Sequence, residues 1–173
     1  MSLASDLLDQ AEMLAKREPK NPKQASLRRA VSAAYYALFH LLAEDAATLF
    51  AGLCGRSDMG TVSRITRTFA HLDMKKVAEK FANSELPTAF QSSGQKYATP
   101  DDLKLVTVVF GLLYQARQEA DYNTGEPVIR SEAQKLIQKA KEAFAAWERI
   151  KDSADARMYL ACFSLWDKWN TKR

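Results

Sequence analysis

Histidine and cysteine are scarce in this chain, two of each in 173 residues, and that scarcity removes many of the chemistries a sequence can advertise. Cys54 and Cys162 are too few for a metal cluster or a disulfide framework and read as small core residues. Neither His40 nor His71 has a glutamate three residues before it, so the Glu-x-x-His pair of a di-metal bundle is missing, and neither a metal nor a cofactor is expected. There is also no Gly-rich phosphate loop, no His-Glu-x-x-His and no serine in a nucleophile-elbow context. With only six glycines and five prolines to punctuate turns, long helices are favoured over many strands. The longest apolar runs, AAYYALFHLLA and LVTVVFGLLY, are too short to span a membrane. The opening segment MSLASDLLDQAEMLAK is amphipathic and acidic, unlike a signal peptide, so a cytoplasmic protein without a membrane partner is expected. A net charge of +4 is compatible with a polyanion partner without being diagnostic of one.

What is present is helical periodicity. Leu3, Leu7, Ala11 and Leu14 define a first helix that ends before Pro19 and Pro22. Asn21 as cap and Pro22 in the first turn predict a second, longest helix running through Tyr36 and Leu42 to the Gly52 and Gly55 region. Residues 61–81 are basic, with Arg64, Arg67, Lys75, Lys76 and Lys80 against Asp73 and Glu79. They predict one or two short helices with a break near His71 and Leu72. Residues 83–99 have loop composition and are the expected place for mobility; Thr99-Pro100-Asp101-Asp102 then starts a helix reaching Tyr122. After the turn YNTGEP, one helix is expected over 128–149 and a C-terminal amphipathic one over 152–170, containing Tyr159, Phe163, Trp166 and Trp169. The fold class is therefore all-α, an antiparallel bundle of four to five long helices forming one domain over residues 1–173 with its core in 3–150.

The stretch SLRRAVSAAYYALFHLLAE, residues 26–44, places polar-tipped side chains on a helix that should be buried. At helical spacing Arg28, Ser32, Tyr35 and Phe39 share one face, and Arg29, Tyr36 and His40 the adjacent one. In YQARQEADYN, Arg117 and Asp121 are one turn apart and can pair. Such residues either satisfy one another in a packing network, with Asp121 neutralising Arg117 or Arg29, or line a site. The basic strip from Arg64 to Lys80 either meets RNA or is a solvated face. The C-terminal aromatics cover either their own bundle or a second subunit.

Three pieces, RRAVSAAYYALFH, RQEADYN and SEAQKLIQKAKEAFAAW, together with the helix order, resemble the HEPN domains, nucleotide-binding helical bundles of higher eukaryotes and prokaryotes. The resemblance covers residues 3–147, with the segment 52–100 and the tail after Arg149 matching less well. It implies a homodimer, and a component of a toxin–antitoxin or defence-type system whose partner is a small nucleotidyltransferase or whose ligand is RNA or a nucleotide.

Many HEPN proteins are metal-independent ribonucleases in which an arginine is followed a few residues later by a histidine. An imidazole titrating near neutrality moves the proton of the ribose hydroxyl, and the guanidinium stabilises the phosphate. Carried over to this chain, Arg117 matches the arginine, but the histidine positions hold Tyr122, Asn123 and Thr124. A phenol is a poor general base at neutral pH. The expectation is thus a binding protein without nuclease activity, whose ligand meets Arg117, Asp121, Tyr122, Tyr35, Tyr36 and Arg29, with Arg117 on a phosphate and Asp121 orienting it. The alternative is a divergent ribonuclease using Arg117 and Tyr122 with His40, or the Arg64 and His71 pair, which has six residues between.

Overall fold

A computed structural model describes residues 2–86 and 97–170, the last four for their backbone alone. Among these residues the chain folds into seven helices: α1 (Leu3–Lys16), α2 (Gln24–Leu53), α3 (Met59–Thr66), α4 (His71–Ala82), α5 (Asp101–Tyr122), α6 (Arg130–Ile150) and α7 (Ala154–Asn170). The protein is an all-α helical bundle, and no described helix is long and apolar enough to cross a membrane.

Local chemistry explains the helix ends. α1 opens with a reciprocal cap in which Ser2 and Ser5 each accept the other's backbone N–H. α2 begins two residues later than the sequence predicts. The amides of Ser26 and Leu27 bond to the Lys23 carbonyl, so neither Asn21 nor Pro22 serves the helix start. Its far end is a Schellman turn: Gly55, at φ 65°, occupies the left-handed position, and the Arg56 amide reaches back to the Ala51 carbonyl at 2.8 Å. α4 ends the same way with Ser84 at φ 52°, a conformation that a side chain disfavours. Asp58 caps α3 by accepting from the Thr61 amide. The break between α3 and α4 precedes His71, which opens α4. Thr99 does not cap α5; its hydroxyl donates to the Phe81 carbonyl at 2.6 Å. Of the loop expected over 83–99, residues 87–96 lie outside the described residues.

The helices divide into two compact units, Met1–Leu41 with Val109–Ala145 and Leu42–Val108 with Ala146–Arg173, so that α2, α5 and α6 each contribute to both. In the first unit α2 and α5 run antiparallel, since Arg28 meets the end of α5 while Tyr35, further along α2, packs on Phe110 in its middle. Their seam is built from small and medium residues: Leu27 and Val31 of α2 pack with Ala116 and Ala120 of α5 and Ala133 of α6. α1 closes this unit with buried Ala4, Leu8, Ala11 and Ala15 at helical spacing, and Glu12 pairs with Lys141 of α6 at 2.6 Å.

The second unit has an aromatic core. Tyr159 and Phe163 of α7 stack edge-on, Phe81 of α4 and Trp147 of α6 pack on Tyr159, and Phe69 packs on Phe163. Trp147 is fully buried and donates its indole N–H to Asp45 at 2.6 Å. Trp166 is also buried here. Tyr159, Phe163 and Trp166 therefore belong to their own unit's core rather than to a surface awaiting a second subunit; the side chain of Trp169 lies outside the described residues. Cys162 joins this core, where burial pushes its thiol up to about 12, whereas Cys54 is exposed.

Candidate functional site

The polar residues of α2 and α5 converge in the first unit. The network starts with Ser32, whose position on α2 faces the last turn of α5, and its hydroxyl donates to Asp121 Oδ1 at 2.5 Å. Asp121 Oδ2 lies 2.8 Å from Arg117 Nε, an ion-pair contact whose angle falls outside hydrogen-bond geometry. Arg117 then donates from Nη2 to the Tyr36 hydroxyl at 2.7 Å and from Nη1 to Gln118 Oε1 at 3.1 Å. Each guanidinium nitrogen thus has a neighbour, and the side chain is only 14% exposed. Burial alone would lower the arginine's pKa, but the Tyr36 hydrogen bond and the neighbouring Tyr36, Asp121 and Tyr122 outweigh it, and the net direction is upward.

Three tyrosine rings enclose that guanidinium. Its carbon lies 5.4 Å from the ring centre of Tyr36, 5.7 Å from Tyr122 and 5.9 Å from Tyr35, all within cation–π range. The rings differ in what they offer to solvent. Tyr35 is fully buried among Tyr36, Phe110 and Tyr114, and burial raises its hydroxyl pKa. Tyr36 is half-buried, and Tyr122 is 72% exposed. Tyr122, Arg117, Gln118, Glu119 and Asn123 line an open cleft. At its rim Asn123 Nδ2 donates to Glu119 Oε2 at 2.9 Å, while Asn123 Oδ1 accepts the Gly125 amide.

The end of α5 that carries this cleft is held by a residue the sequence reading did not assign. Arg28 donates from Nη1 to the carbonyls of Ala120 and Asn123, both at 2.9 Å, and from Nη2 to that of Glu126 at 2.6 Å. These include carbonyls that a helix terminus leaves without partners, and a cation suits the negative end of the helix dipole. Gln24 pairs both of its amide atoms with the backbone of Val128, and Arg130 donates to the carbonyls of Glu18 and Pro19. The turn between α5 and α6 is thereby fastened to the ends of α1 and α2.

The structure brings together Arg117, Asp121, Tyr122, Tyr35 and Tyr36, and gives Asp121 to Arg117 rather than to Arg29. Arg29 is exposed on α2 and does not line the cleft. Its sequence neighbour Arg28 holds the position facing α5. His40 sits one turn beyond Tyr36, half-buried, its ring 6.4 Å from that of Tyr36 and 5.3 Å from that of Phe39. His71 belongs to the second unit. Of the basic strip, the three lysines of α4 are paired, Lys75 with Glu79, Lys76 with Asp73 and Lys80 with Glu85, whereas Arg64 and Arg67 are exposed on and just after α3. Among the described residues no three His, Cys, Asp or Glu side chains group as a metal site.

No protein-family model, curated protein or solved structure matches this chain.

Proposed function

We propose that this protein is a HEPN-like nucleotide- or RNA-binding module without nuclease activity, acting in a toxin–antitoxin or defence-type system as a homodimer or with a nucleotidyltransferase-type partner. The observation that carries the binding reading is the exposed ring of Tyr122 resting on the Arg117 guanidinium, with Tyr35 and Tyr36 on its other sides. An exposed aromatic face backed by a fixed cation is a platform on which a base stacks, and the Arg28 clamp preorganises the helix end that presents it. The resemblance to HEPN domains supplies the system and the partners. Exposed Leu112 and Ile129 in the same unit offer apolar area for a protein partner.

The absence of nuclease activity rests on what surrounds Arg117. The groups that bond to or pair with it are a carboxylate, an amide and a phenol, and the imidazole of the ribonuclease motif is not one of them. A second reading has one observation in its favour. His40 lies one turn from the Tyr36 that bonds Arg117, so a divergent metal-independent ribonuclease would use His40 with Arg117.

Binding of a labelled single-stranded RNA, measured by fluorescence anisotropy, tests the main reading. Replacing Tyr122 with alanine removes a stacking contact of about 1–3 kcal/mol and weakens binding by roughly fivefold to a hundredfold. Equal affinity in wild type and Tyr122→Ala contradicts the assignment.

A further inference from the structure

We infer that the cleft beside Tyr122 recognises a donor-rich base, guanine in particular, and leaves the phosphate to solvent. This rests on the reading of the cleft as a nucleotide site and reverses the division of labour expected from the sequence, in which Arg117 takes the phosphate. The reason is the cleft's charge balance: its cation is paired and covered, and the carboxylate at its rim is exposed.

Among the described residues Arg117 is the only cation lining the cleft, and Asp121 neutralises it at 2.8 Å. One hydrogen on each of its Nη atoms goes to Tyr36 and Gln118, and its side chain, only 14% exposed, is largely covered. Arg28 is close by, but its guanidinium faces the carbonyls at the negative end of α5. A phosphate entering the cleft would therefore meet a neutralised pair and, at the rim, the carboxylate of Glu119. Like charge at close range disfavours it.

The same arrangement suits a base. Tyr122 and Glu119 are one turn apart on the exposed side of α5, so the ring face and the carboxylate belong to one surface. Asn123 has its acceptor on the Gly125 amide and a donor on Glu119 Oε2. What the rim still presents is acceptor capacity on the Glu119 carboxylate, Oε1 above all, beside the second Nδ2 hydrogen of Asn123, a donor that suits the O6 of guanine. Two adjacent N–H donors match a carboxylate in a bidentate, charge-assisted pair. Guanine presents such donors at N1 and N2 on its Watson–Crick edge. Adenine presents one amino group beside an acceptor nitrogen, which Glu119 would repel. A guanine stacked on Tyr122 with that edge toward Glu119 satisfies both features.

The test is a competition series against the same labelled RNA, using guanosine, adenosine, guanosine 5′-monophosphate, ribose 5-phosphate and inorganic phosphate, on wild type, Glu119→Gln and Tyr122→Ala. The inference predicts that guanosine competes about as well as its monophosphate and at least tenfold better than adenosine, and that ribose 5-phosphate and phosphate do not compete. Glu119→Gln, isosteric and at an exposed position, loses the preference for guanosine over adenosine, while Tyr122→Ala weakens both. Competition by ribose 5-phosphate or phosphate, or a guanosine preference that survives Glu119→Gln, overturns the base assignment while leaving a nucleotide site in place. Failure of the RNA itself and of every competitor to bind overturns the nucleotide reading, and this inference with it.

Discussion

Arg28, near the start of α2, reaches the far end of α5 and donates to the carbonyl oxygen of Ala120 at 2.9 Å. The same guanidinium also holds the carbonyls of Asn123 and Glu126, so one side chain replaces water at a helix end and fixes the turn that follows. Removing it leaves the partly buried carbonyl of Ala120 without this donor and gives the exposed ones of Asn123 and Glu126 back to water. Arg28→Ala is predicted to lower stability by about 2–3 kcal/mol in urea denaturation, and Arg28→Lys to recover only part, because an ammonium cannot fork across several acceptors. Hydrogen exchange at the α5 C-terminus accelerates in both variants if the clamp acts locally. Full stability in Arg28→Ala would show that the clamp holds nothing.

Adjacent arginines show why the sequence alone ran out where it did. Arg28 and Arg29 are chemically identical and consecutive, and the helical turn between them puts one against the carbonyls of α5 and leaves the other in solvent. Which of the two faces inward depends on where α5 lies, and no local pattern reports that. Local rules did better at helix ends. The Gly55 turn and the run of α5 to Tyr122 were readable because backbone geometry and residue type are tied there. Arg117 and Asp121 were readable as a pair because their spacing is intrahelical. The start of α2 was misread because Pro22 is as compatible with the stretch before a helix as with its first turn. The aromatics of α7 were ambiguous because a buried face and an interface face have the same composition.

Asp45 gives the second unit a pH dependence of unusual sign. Burial raises its carboxyl pKa above 3.8, with the Trp147 indole hydrogen bond and Lys151 opposing. A carboxyl raised in the folded state holds its proton there after the unfolded chain has lost its own. Its contribution to stability is therefore largest below 3.8 and declines as pH rises through the folded-state value. Asn in its place keeps an acceptor for the indole and cannot ionise. The stability of wild type relative to Asp45→Asn is predicted to fall between pH 3.5 and pH 7, as followed by thermal denaturation. A difference that is flat, or that rises with pH, would contradict the burial argument.

Glu12 has the opposite sign. It lies 2.6 Å from both Lys141 and Lys16, and these bonds, that of Lys141 foremost, bring its carboxyl down to about 2 from 4.5. The stabilisation is present above pH 4.5 and is lost as pH falls toward 2. Because the three side chains are well exposed, salt screens them and the effect is small. Wild type is predicted to exceed Glu12→Gln in stability at pH 6, and the gap closes both at pH 2 and in 1 M salt. A gap that persists at pH 2 would mean that packing of the glutamate stem, not its charge, supplies the difference.

The Tyr122 and Arg117 platform is proposed to bind single-stranded RNA without cutting it. The most direct test incubates one labelled single-stranded RNA with wild type, Tyr122→Ala, Arg117→Ala and His40→Ala in the presence of a chelator, and reads bound fraction and strand length from the same samples. RNA is expected to be bound and intact with wild type and released by Tyr122→Ala. Shortened RNA with wild type that remains full-length with Arg117→Ala or His40→Ala would contradict it, and would make the protein a metal-independent nuclease working through the imidazole one turn from Tyr36.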